Sequence, residues 1–392
     1  MALPGIREGV PRRGYDVVIV GAGVQGLALA YELARRGTRS VAVLDRSWPG
    51  SGASGRNGEL IRSAFASTQW CGLFDHSLRR WRGLSAELGT NLLFNRHGYI
   101  VLASTDAQWR ACQSDHARHR DLGIDTDLLD ARDVRRLIPD ANPELIRGGV
   151  LQPDAGFAHH DIVVWAYLAA AARLGVEVFT DVPVEEVRTH KGHVCGVRAG
   201  GRAIDTAVVV NAAGGAAAEL NAYAGVDIDL RASRLEMLAT EPLRPFLRYG
   251  LAVPELMGYA HQTARGEFVG GTELAEPDHS SSLNATYALL RDMATKWVQL
   301  FPSLAGARLL RHWAGTVSQA ADLAPVIGPV DELEGYLVTC GWVYGFMGAP
   351  GAADLLADSI VTGRTSAVLE QFAPSRLREG RLINETSLVV PT

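Results

Sequence analysis

The stretch YDVVIVGAGVQGLALAYELARRG, Tyr15 to Gly37, followed by SVAVLDR, Ser40 to Arg46, determines the fold class of this chain. An apolar run that predicts a strand leads into a glycine-rich turn, an alanine-rich helix and a second apolar strand ending in Asp45. This order is that of a βαβ dinucleotide-binding unit. We therefore predict an α/β fold with a Rossmann-like domain that binds an adenine dinucleotide. The alternative is a glycine-rich turn in an α/β protein that binds no dinucleotide.

Three glycines have separate tasks in the predicted turn. Gly21 allows the tight turn, Gly23 lets the backbone approach a pyrophosphate, and Gly26 lets the helix lie close to the strand. The free N–H groups at the start of the helix would face the phosphates. Asp45 follows Gly21 by 24 residues, near the offset of about 20 at which an acid binds the ribose hydroxyls.

Length and composition restrict the class of protein. A chain of 392 residues is long for one simple core, so we expect two domains. Hydrophobic residues make up 47% and charged residues 21%, which is typical of globular enzymes. The net charge of −5 and the lack of a Lys/Arg block argue against nucleic acid as a partner. No apolar run reaches the roughly 18 residues of a membrane-spanning helix, so we expect no membrane partner.

The cysteines and the first residues of the chain indicate in which cellular compartment the protein is expected. The four cysteines, Cys71, Cys112, Cys195 and Cys340, are scattered without a CxxC pair, which favours reduced thiols and disfavours a metal site. Residues 1–14 lack the apolar core of a signal peptide. We therefore expect a cytoplasmic location and no bound metal.

The chain alternates between segments typical of the nucleotide domain and segments of short strands with charged helices. We therefore expect a discontinuous substrate domain with a mixed or antiparallel β-sheet. The predicted cofactor domain comprises residues 14–85, 150–225 and 312–392, and the predicted substrate domain comprises residues 86–149 and 226–311.

Three further segments indicate a flavin in particular. Small residues in the loop of residues 54–57, which precedes Arg62, can let an isoalloxazine ring lie across the backbone. The strand that ends in NAAG, residues 211–214, allows another close approach. The segment GFMG, residues 345–348, precedes a predicted helix from Ala352, whose N–H groups can face the flavin pyrimidine edge.

Seven segments are specific in combination. They are YDVVIVGAGVQGLALAYELA, VAVLDRSWPGSGASGRNGELIRS, LQPDAGFAHHDIVVWAYLAAAARLGVEV, LFPSLAGARLLRHWAG, DLAPVIG, CGWVYGFMGAPGA and GRLINE. With them the chain resembles, along nearly its whole length, the D-amino-acid oxidase-like family of FAD-dependent oxidoreductases. Within that family it is similar to the beta subunits of heterotetrameric sarcosine oxidases.

The resemblance implies FAD as the cofactor and an amine as the substrate. The expected reaction oxidises an amino acid or a secondary amine, of the N-substituted glycine type, to an imine by hydride transfer to flavin N5. Oxygen or another electron acceptor would take the electrons. Two alternatives stay open: a flavin-bearing subunit of a hetero-oligomeric dehydrogenase with a partner subunit, or a dehydrogenase for a tailored amine of a biosynthetic pathway.

Three residues are implied in the substrate pocket. Arg62 matches the arginine that binds the substrate carboxylate, for which a planar guanidinium is suited; the alternative is a structural arginine. Tyr344 is expected to line the pocket, with core packing as the alternative. Met347 stands where relatives have lysine, and Phe268 occupies the position of a second, oxygen-activating lysine. These departures disfavour sarcosine itself as the substrate and fast reaction with oxygen.

Two positions concern covalent attachment. His160 matches the histidine that carries a covalent FMN in sarcosine oxidase beta subunits. The favoured interpretation is the start of a helix over residues 161–175 with Asp161 as its cap, and FMN is the alternative. Gly315 falls where monomeric relatives have a cysteine linked to FAD. Since glycine cannot form that bond, we expect non-covalent FAD.

The motifs and the resemblance together give a set of expected cofactor contacts. The predicted cofactor-binding residues are Gly21, Ala22, Gly23, Val24, Gln25, Gly26, Asp45, Arg46, Ser54, Arg56, Asn57, Gly58, Leu60, Val184, Ala213, Gly214, Gly315, Gly345, Phe346 and Gly348.

Overall fold

The computed structural model of the chain describes residues 5–256, 258–272 and 279–388. The strands are β1 Val17–Val20, β2 Val41–Leu44, β3 Leu60–Ile61, β4 Tyr99–Ala103, β5 Asp127–Asp130, β6 Gly148–Gln152, β7 Gly156–Phe157, β8 Glu177–Phe179, β9 Val184–His190, β10 His193–Ala199, β11 Arg202–Asp205, β12 Val209–Asn211, β13 Leu230–Pro242, β14 Gly250–Val253, β15 Gly258–Gln262, β16 Glu267–Thr272, β17 Leu309–Ala320, β18 Val326–Pro329 and β19 Tyr336–Cys340. The helices are α1 Val24–Arg35, α2 Thr68–Leu88, α3 Asp106–Asp121, α4 Ala131–Leu137, α5 His160–Arg173, α6 Ala217–Tyr223, α7 Tyr287–Leu300, α8 Gly345–Thr362, α9 Ala367–Glu370 and α10 Ser375–Arg378.

A six-stranded sheet of order β18-β19-β12-β1-β2-β8 contains the predicted βαβ unit. The pairs from β19 to β8 are parallel, and β18 is antiparallel to β19. Strand β1 lies in the middle with all four residues buried, as its continuous apolar run requires. The chain enters β1 and then forms β2 on one side and β12 on the other, which places a crevice at the carboxyl end of β1.

An eight-stranded sheet of order β17-β13-β16-β15-β14-β4-β6-β5 is the second layer. Its pairs are antiparallel except for β14 with β4. The strands come from two separate stretches of the chain, so the predicted α/β fold with a discontinuous mixed sheet is confirmed. The predicted domain boundary at residue 150 falls inside β6, and the one at residue 312 falls inside β17. The division into domains therefore stays a prediction.

Helix α8 begins at Gly345, so the prediction of a helix start at Ala352 was wrong. Pro350 lies inside the helix and has no N–H for the usual bond within it. The hydroxyl of Ser77, on α2, donates to the carbonyl of Met347 over 2.6 Å and accepts from the N–H of Gly351 over 3.2 Å. A Cβ at Gly351 would lie 2.7 Å from the backbone of Ser77. This contact holds the glycine- and proline-rich first half of α8 closely against α2.

Helix α5 also begins earlier than predicted. Its first residue is His160 and its N-cap is His159, without a side-chain cap bond, so the prediction of Asp161 as the cap was wrong. Asp161 instead lies in the first turn, where the positive end of the helix dipole stabilises a carboxylate. Within the described residues, no helix is long and apolar enough to span a membrane.

A buried ion pair fixes the C-terminal part of the chain to the loop between β17 and β18. The guanidinium of Arg376, on α10, donates to both carboxylate oxygens of Asp322 over 3.0 and 2.9 Å. The two side chains are 0% and 1% exposed. Asp322 also accepts the N–H of Ala324 and that of Ile383, so its oxygens are satisfied on several sides. A buried charge with this many bonds is costly to leave unpaired.

We predict that Arg376→Leu lowers the free energy of unfolding by about 3–5 kcal/mol, because it leaves the Asp322 carboxylate buried without its partner. The matched control is Arg378→Leu on the same helix. Arg378 is half-exposed and pairs with Asp331 and Glu332 at the surface, so its loss should cost at most about 1 kcal/mol. Urea unfolding followed by circular dichroism measures both. Equal losses in the two variants would contradict this account of the ion pair.

Candidate cofactor and substrate site

One cavity of about 710 Å³ lies at the carboxyl ends of the parallel strands and reaches the eight-stranded sheet. This volume is within the range of roughly 300–1,000 Å³ usual for sites of small molecules and cofactors. Its walls come from the turns after β1, β2 and β12, the loop of residues 50–60, the start of α8, and strands β13, β15 and β17. The cavity therefore joins the crevice of the parallel sheet to the second sheet.

The turn after β1 has no room for side chains. Gly21 has a φ of +115°, and a Cβ there would lie 2.3 Å from the carbonyl oxygen of Ala212. A Cβ at Gly26 would lie 2.0 Å from the carbonyl oxygen of Gly21. Both contacts exclude any larger residue. The result is a bare backbone turn in front of the N-terminus of α1, which fits the pyrophosphate of a dinucleotide.

Asp45 organises this turn from the end of β2. One carboxylate oxygen accepts the N–H of Ala22 over 2.6 Å, and the other accepts the N–H of Ser47 over 2.8 Å. Burial raises the pKa of Asp45, and the two backbone N–H groups oppose that effect. The carboxylate also lines the cavity, but its contact with a ribose stays a prediction.

The loop of residues 50–58 is tied to the turn and to itself. The hydroxyl of Ser54 accepts the N–H of Val24 over 2.9 Å, at the start of α1. The amide of Asn57 donates to the carbonyl of Ser54 over 2.6 Å, and Arg56 Nε donates to the carbonyl of Ser51 over 3.1 Å. These bonds give the loop a fixed shape along one wall of the cavity.

Gly315 lies on β17 next to the loop of residues 50–58. A Cβ there would lie 3.1 Å from the Cβ of Arg56, so a longer side chain would press on the loop. The indole of Trp313, two residues earlier on β17, donates to the carbonyl of Arg56 over 3.1 Å. Strand β17 thus lies directly against the loop at this point.

Most of the predicted cofactor residues line the cavity. They are Gly21, Gly23, Val24, Gln25, Asp45, Arg46, Ser54, Arg56, Asn57, Gly58, Leu60, Val184, Ala213, Gly214, Gly315, Gly345 and Phe346. Three others, Ala22, Gly26 and Gly348, lie behind the wall. The first two shape the turn, and a Cβ at Gly348 would lie 2.6 Å from the indole of Trp342. The structure brings the set together, and the binding role of each residue stays a prediction.

Tyr344 and Met347, two of the three predicted pocket residues, line the cavity. The ring of Tyr344 lies edge-on to Phe65 and to Trp70, with centroids 5.8 Å away in each case. Met347 is buried, and the indole of Trp81 donates to its carbonyl over 2.9 Å. Since a thioether carries no charge, Met347 adds only apolar surface.

Arg62, the third predicted pocket residue, lies behind the cavity wall. Its side chain is 1% exposed, and its guanidinium carbon lies 3.9 Å from the ring centre of Phe65 and 5.4 Å from that of Tyr99. Nη1 donates to the carbonyl of Ala64 over 2.6 Å and Nη2 to that of Ser387 over 3.1 Å. Nε is buried and has no hydrogen-bond partner among the described residues. The described residues also include no carboxylate paired with Arg62.

Sequence reasoning missed the tyrosines that the second sheet supplies. Tyr99 at the start of β4 and Tyr259 on β15 line the cavity together with Met237 on β13. Burial raises the pKa of both tyrosines well above the ordinary value, so their hydroxyls stay neutral. The hydroxyl of Tyr259 donates to the sulfur of Met237 over 3.1 Å. No local motif marks these residues, because only strand pairing brings them to the cavity.

His160 lies in a cluster with Glu59 and His261. Glu59 lines the cavity, and its carboxylate lies 2.7 Å from His160 Nδ1 and 3.3 Å from His261 Nε2. Burial opposes ionisation of Glu59, but the bonds from the histidines outweigh it and lower its pKa. Burial likewise opposes the charge on His160, and Glu59 more than offsets it, so the pKa of His160 is raised. His160 itself is outside the cavity lining, and a covalent FMN on it stays the alternative prediction.

Comparison with known proteins places the chain in a family. The family described as DAO, FAD dependent oxidoreductase, matches residues 16–359. The chain is 31% identical over 382 residues to the sarcosine oxidase subunit beta of an Arthrobacter species, covering 96% of this chain and 94% of that protein. It is 29% identical over 386 residues to the sarcosine oxidase subunit beta of Rhodobacter capsulatus, covering 96% and 92%.

Solved structures give the same fold. The L-proline dehydrogenase of P. horikoshii superimposes with a TM-score of 0.90 at 26% identity, covering 95% of this chain and 100% of that one. The glycine oxidase of Geobacillus kaustophilus superimposes with a TM-score of 0.84 at 23% identity, covering 93% and 99%. At 23% identity, the similarity to the glycine oxidase shows a shared fold alone.

The ion pair of His160 and Glu59 predicts a pH-dependent stability. The pKa of His160 in the folded chain lies above its ordinary value of 6.5. The stabilisation is therefore complete below that ordinary value and is lost as the pH rises through the raised pKa. His160→Gln should lower the free energy of unfolding more at about pH 6 than at about pH 9. Urea unfolding at the two pH values measures the difference.

The control is His190→Gln, which changes an exposed histidine at the end of β9. It should leave the difference between the two pH values as in the wild type. A loss on His160→Gln that is the same at both pH values would show that the imidazole stabilises α5 by packing alone.

Proposed function

This chain belongs to the DAO family of FAD-dependent oxidoreductases, and on that premise we propose that it oxidises an amino acid or a secondary amine to an imine. The proposed substrate class is that of N-substituted glycines. The observation that carries the proposal is the joined cavity, which combines a bare dinucleotide turn with a tyrosine-lined space beside a buried arginine that forms no ion pair among the described residues.

The turn after β1 and the loop of residues 50–58 would hold the FAD. Gly21 and Gly26 leave the space that the pyrophosphate needs, and Asp45 is the proposed partner of the ribose hydroxyls. At Gly315 there is no side-chain atom to bond to the cofactor, which supports non-covalent binding. Bound FAD would supply the hydride acceptor at its N5.

One part of the cavity wall is formed by tyrosine and methionine side chains and is apolar apart from the tyrosine hydroxyls. Tyr99, Tyr259 and Tyr344 come together there with Met237 and Met347. Such a lining excludes water and favours the uncharged form of an amine, from which a hydride leaves more readily. The neutral tyrosine hydroxyls can orient the nitrogen by accepting or donating a hydrogen bond.

Arg62 is the proposed anchor for a substrate carboxylate. A buried guanidinium with an unbonded Nε and no direct ion pair among the described residues is costly, so an anionic partner from outside those residues would relieve that cost. The free Nε–H and the neighbouring Nη group form the fork that binds a carboxylate with two parallel bonds. Tyr99 lines the cavity and its ring centre lies 5.4 Å from the guanidinium carbon, so a substrate carboxylate would approach Arg62 past the Tyr99 ring.

A second candidate function is that of a flavin subunit in a hetero-oligomer. The observation that favours it is the similarity, at about 30% identity over nearly the full length, to proteins named as beta subunits. On this alternative a partner subunit would accept the electrons or enclose a second flavin at His160. Co-purification of another polypeptide with the chain from its natural source would distinguish the two. The biosynthetic substrate and the cytoplasmic location inferred from the sequence stay predictions.

We predict that Asp45→Ala weakens FAD binding by roughly 1.5–3 kcal/mol, the range for hydrogen bonds to a charged group. The carboxylate is expected to accept ribose hydroxyls while it holds the turn through Ala22. The control is Asp16→Ala, which changes an exposed carboxylate before β1 that accepts the N–H of Ser40. Fluorescence titration of apoprotein with FAD measures both dissociation constants. An unchanged constant for Asp45→Ala would restrict its role to the protein turn.

We predict that Arg62→Ala raises the dissociation constant of a carboxylate substrate by an amount equivalent to about 2–5 kcal/mol, the cost of removing one partner of a buried charged pair. The flavin spectrum should hardly change, because the arginine holds no part of the cofactor in this account. Anaerobic titration of flavin absorbance measures the binding. If the affinity for carboxylates is untouched while the protein still oxidises amines, the anchor lies elsewhere.

A further inference from the structure

The C-terminal strap, residues 381–388, contains a buried carboxylate. Glu385 is 4% exposed. Its Oε1 accepts the N–H of Ala66 over 2.9 Å, and its Oε2 accepts the N–H of Ser67 over 2.7 Å. Ser67 is the N-cap of α2. One side chain thus satisfies two consecutive backbone donors in the loop that follows Arg62, and those donors have no helical partner of their own.

The same strap contacts Arg62 directly. The carbonyl of Ser387 accepts from Arg62 Nη2 over 3.1 Å. Ser387 is itself bound to Glu385, since its N–H and its hydroxyl both donate to Oε1, over 2.9 and 2.6 Å. The other bond of the guanidinium goes to Ala64, in the loop that Glu385 holds. Glu385 is therefore bonded to Ser387, whose carbonyl accepts from Arg62, and to the far end of the loop that contains Ala64, whose own N–H donates to Gln152 over 3.0 Å.

The strap is in turn anchored to the rest of the fold. The N–H of Ile383 donates to Asp322 over 3.1 Å, and Asp322 is the partner of the buried Arg376. Ile383 and Leu388 are buried in the same core as the parallel sheet. Glu385 therefore joins a rigid part of the molecule to the loop of residues 62–67.

We propose that Glu385 is a positioning residue for substrate recognition, which sets the orientation of Arg62 through Ser387 and the loop of residues 62–67. The inference rests on the proposed role of Arg62 as the carboxylate anchor. A guanidinium binds a carboxylate through two parallel N–H donors only when it lies at the right angle to that carboxylate. Displacement of the loop would change the angle of Arg62 and weaken this contact. Glu385 forms no ion pair with Arg62 among the described residues, so it acts through the backbone. On this proposal the segment GRLINE, which ends in Glu385, helps to orient Arg62.

The test uses the full-length, FAD-loaded protein and its Glu385→Ala variant. The probes are L-proline and sarcosine, which carry a carboxylate, their counterparts pyrrolidine and dimethylamine, which do not, and pyrrole-2-carboxylate as an unreactive ligand. Anaerobic flavin absorbance gives the affinity and the limiting rate of reduction for each compound. The matched control is Glu379→Ala, because Glu379 is a half-exposed carboxylate just before the strap that pairs with Arg381. Hydrogen exchange at Ala66 and Ser67 reports on the loop.

We expect Glu385→Ala to weaken binding of pyrrole-2-carboxylate and of the reactive amino acids at least tenfold. The limiting rate of reduction should change less than threefold, the two simple amines should be unaffected, and exchange at Ala66 and Ser67 should be faster. Glu379→Ala should behave as the wild type. Glu385→Gln keeps the size of the side chain and one carbonyl oxygen, and it replaces the alanine variant if that variant does not fold. We expect Glu385→Gln to show the same selective loss of affinity for the carboxylate compounds.

Two results would overturn the inference. If the variant loses affinity equally for L-proline and pyrrolidine, or for neither, then Glu385 stabilises the fold without orienting Arg62. If the wild-type flavin is reduced by none of the four amines and pyrrole-2-carboxylate leaves its spectrum unchanged, the proposed function fails, and this inference fails with it. If the first result is obtained while amines still reduce the wild-type flavin, the inference about Glu385 fails and the proposed function is retained.

Discussion

The close approach of three backbone segments at the turn after β1 is the constraint on which the rest of the structure depends. Gly21 meets the carbonyl of Ala212, and Gly26 meets the carbonyl of Gly21, at distances that no side chain allows. This packing brings β1, β12 and α1 together and leaves a bare turn at the carboxyl end of the sheet. The carboxylate of Asp45 then closes the turn from β2. The proposed cofactor site is thus a direct product of the way in which the parallel sheet packs.

The contrast between the two fully buried arginines is the main electrostatic argument for a ligand. Arg376 has a carboxylate partner in Asp322, which accounts for its burial in structural terms. Arg62 is equally buried, has carbonyl partners only, and leaves Nε without a bond. Since proteins rarely bury a charge that has no direct ion pair, the second arginine is the one for which an anionic substrate offers a physical reason.

Much of the fold could be predicted from the sequence, because the decisive signals are local. The run of apolar residues into Gly21 and the acid at Asp45 predicted the βαβ unit of the parallel sheet, and seven segments in combination indicated the family. Of the 20 predicted cofactor residues, 17 line the cavity. The rest depends on contacts between distant segments. The early part of helix α8, which begins at Gly345, is bonded through Met347 and Gly351 to Ser77 on another helix. Tyr259 reaches the cavity only through the pairing of β15, and the partners of Arg62 come partly from the C-terminal strap.

The measurement that tests the central claim most directly is anaerobic titration of the purified protein with a panel of amino acids and N-alkyl glycines, followed at the flavin absorbance band. The account predicts that the protein carries FAD and that at least one carboxylate-bearing amine bleaches the band. The corresponding hydroxy acids, which lack the nitrogen, should leave it unchanged. A protein without flavin, or a flavin band that no amine bleaches, would contradict the account.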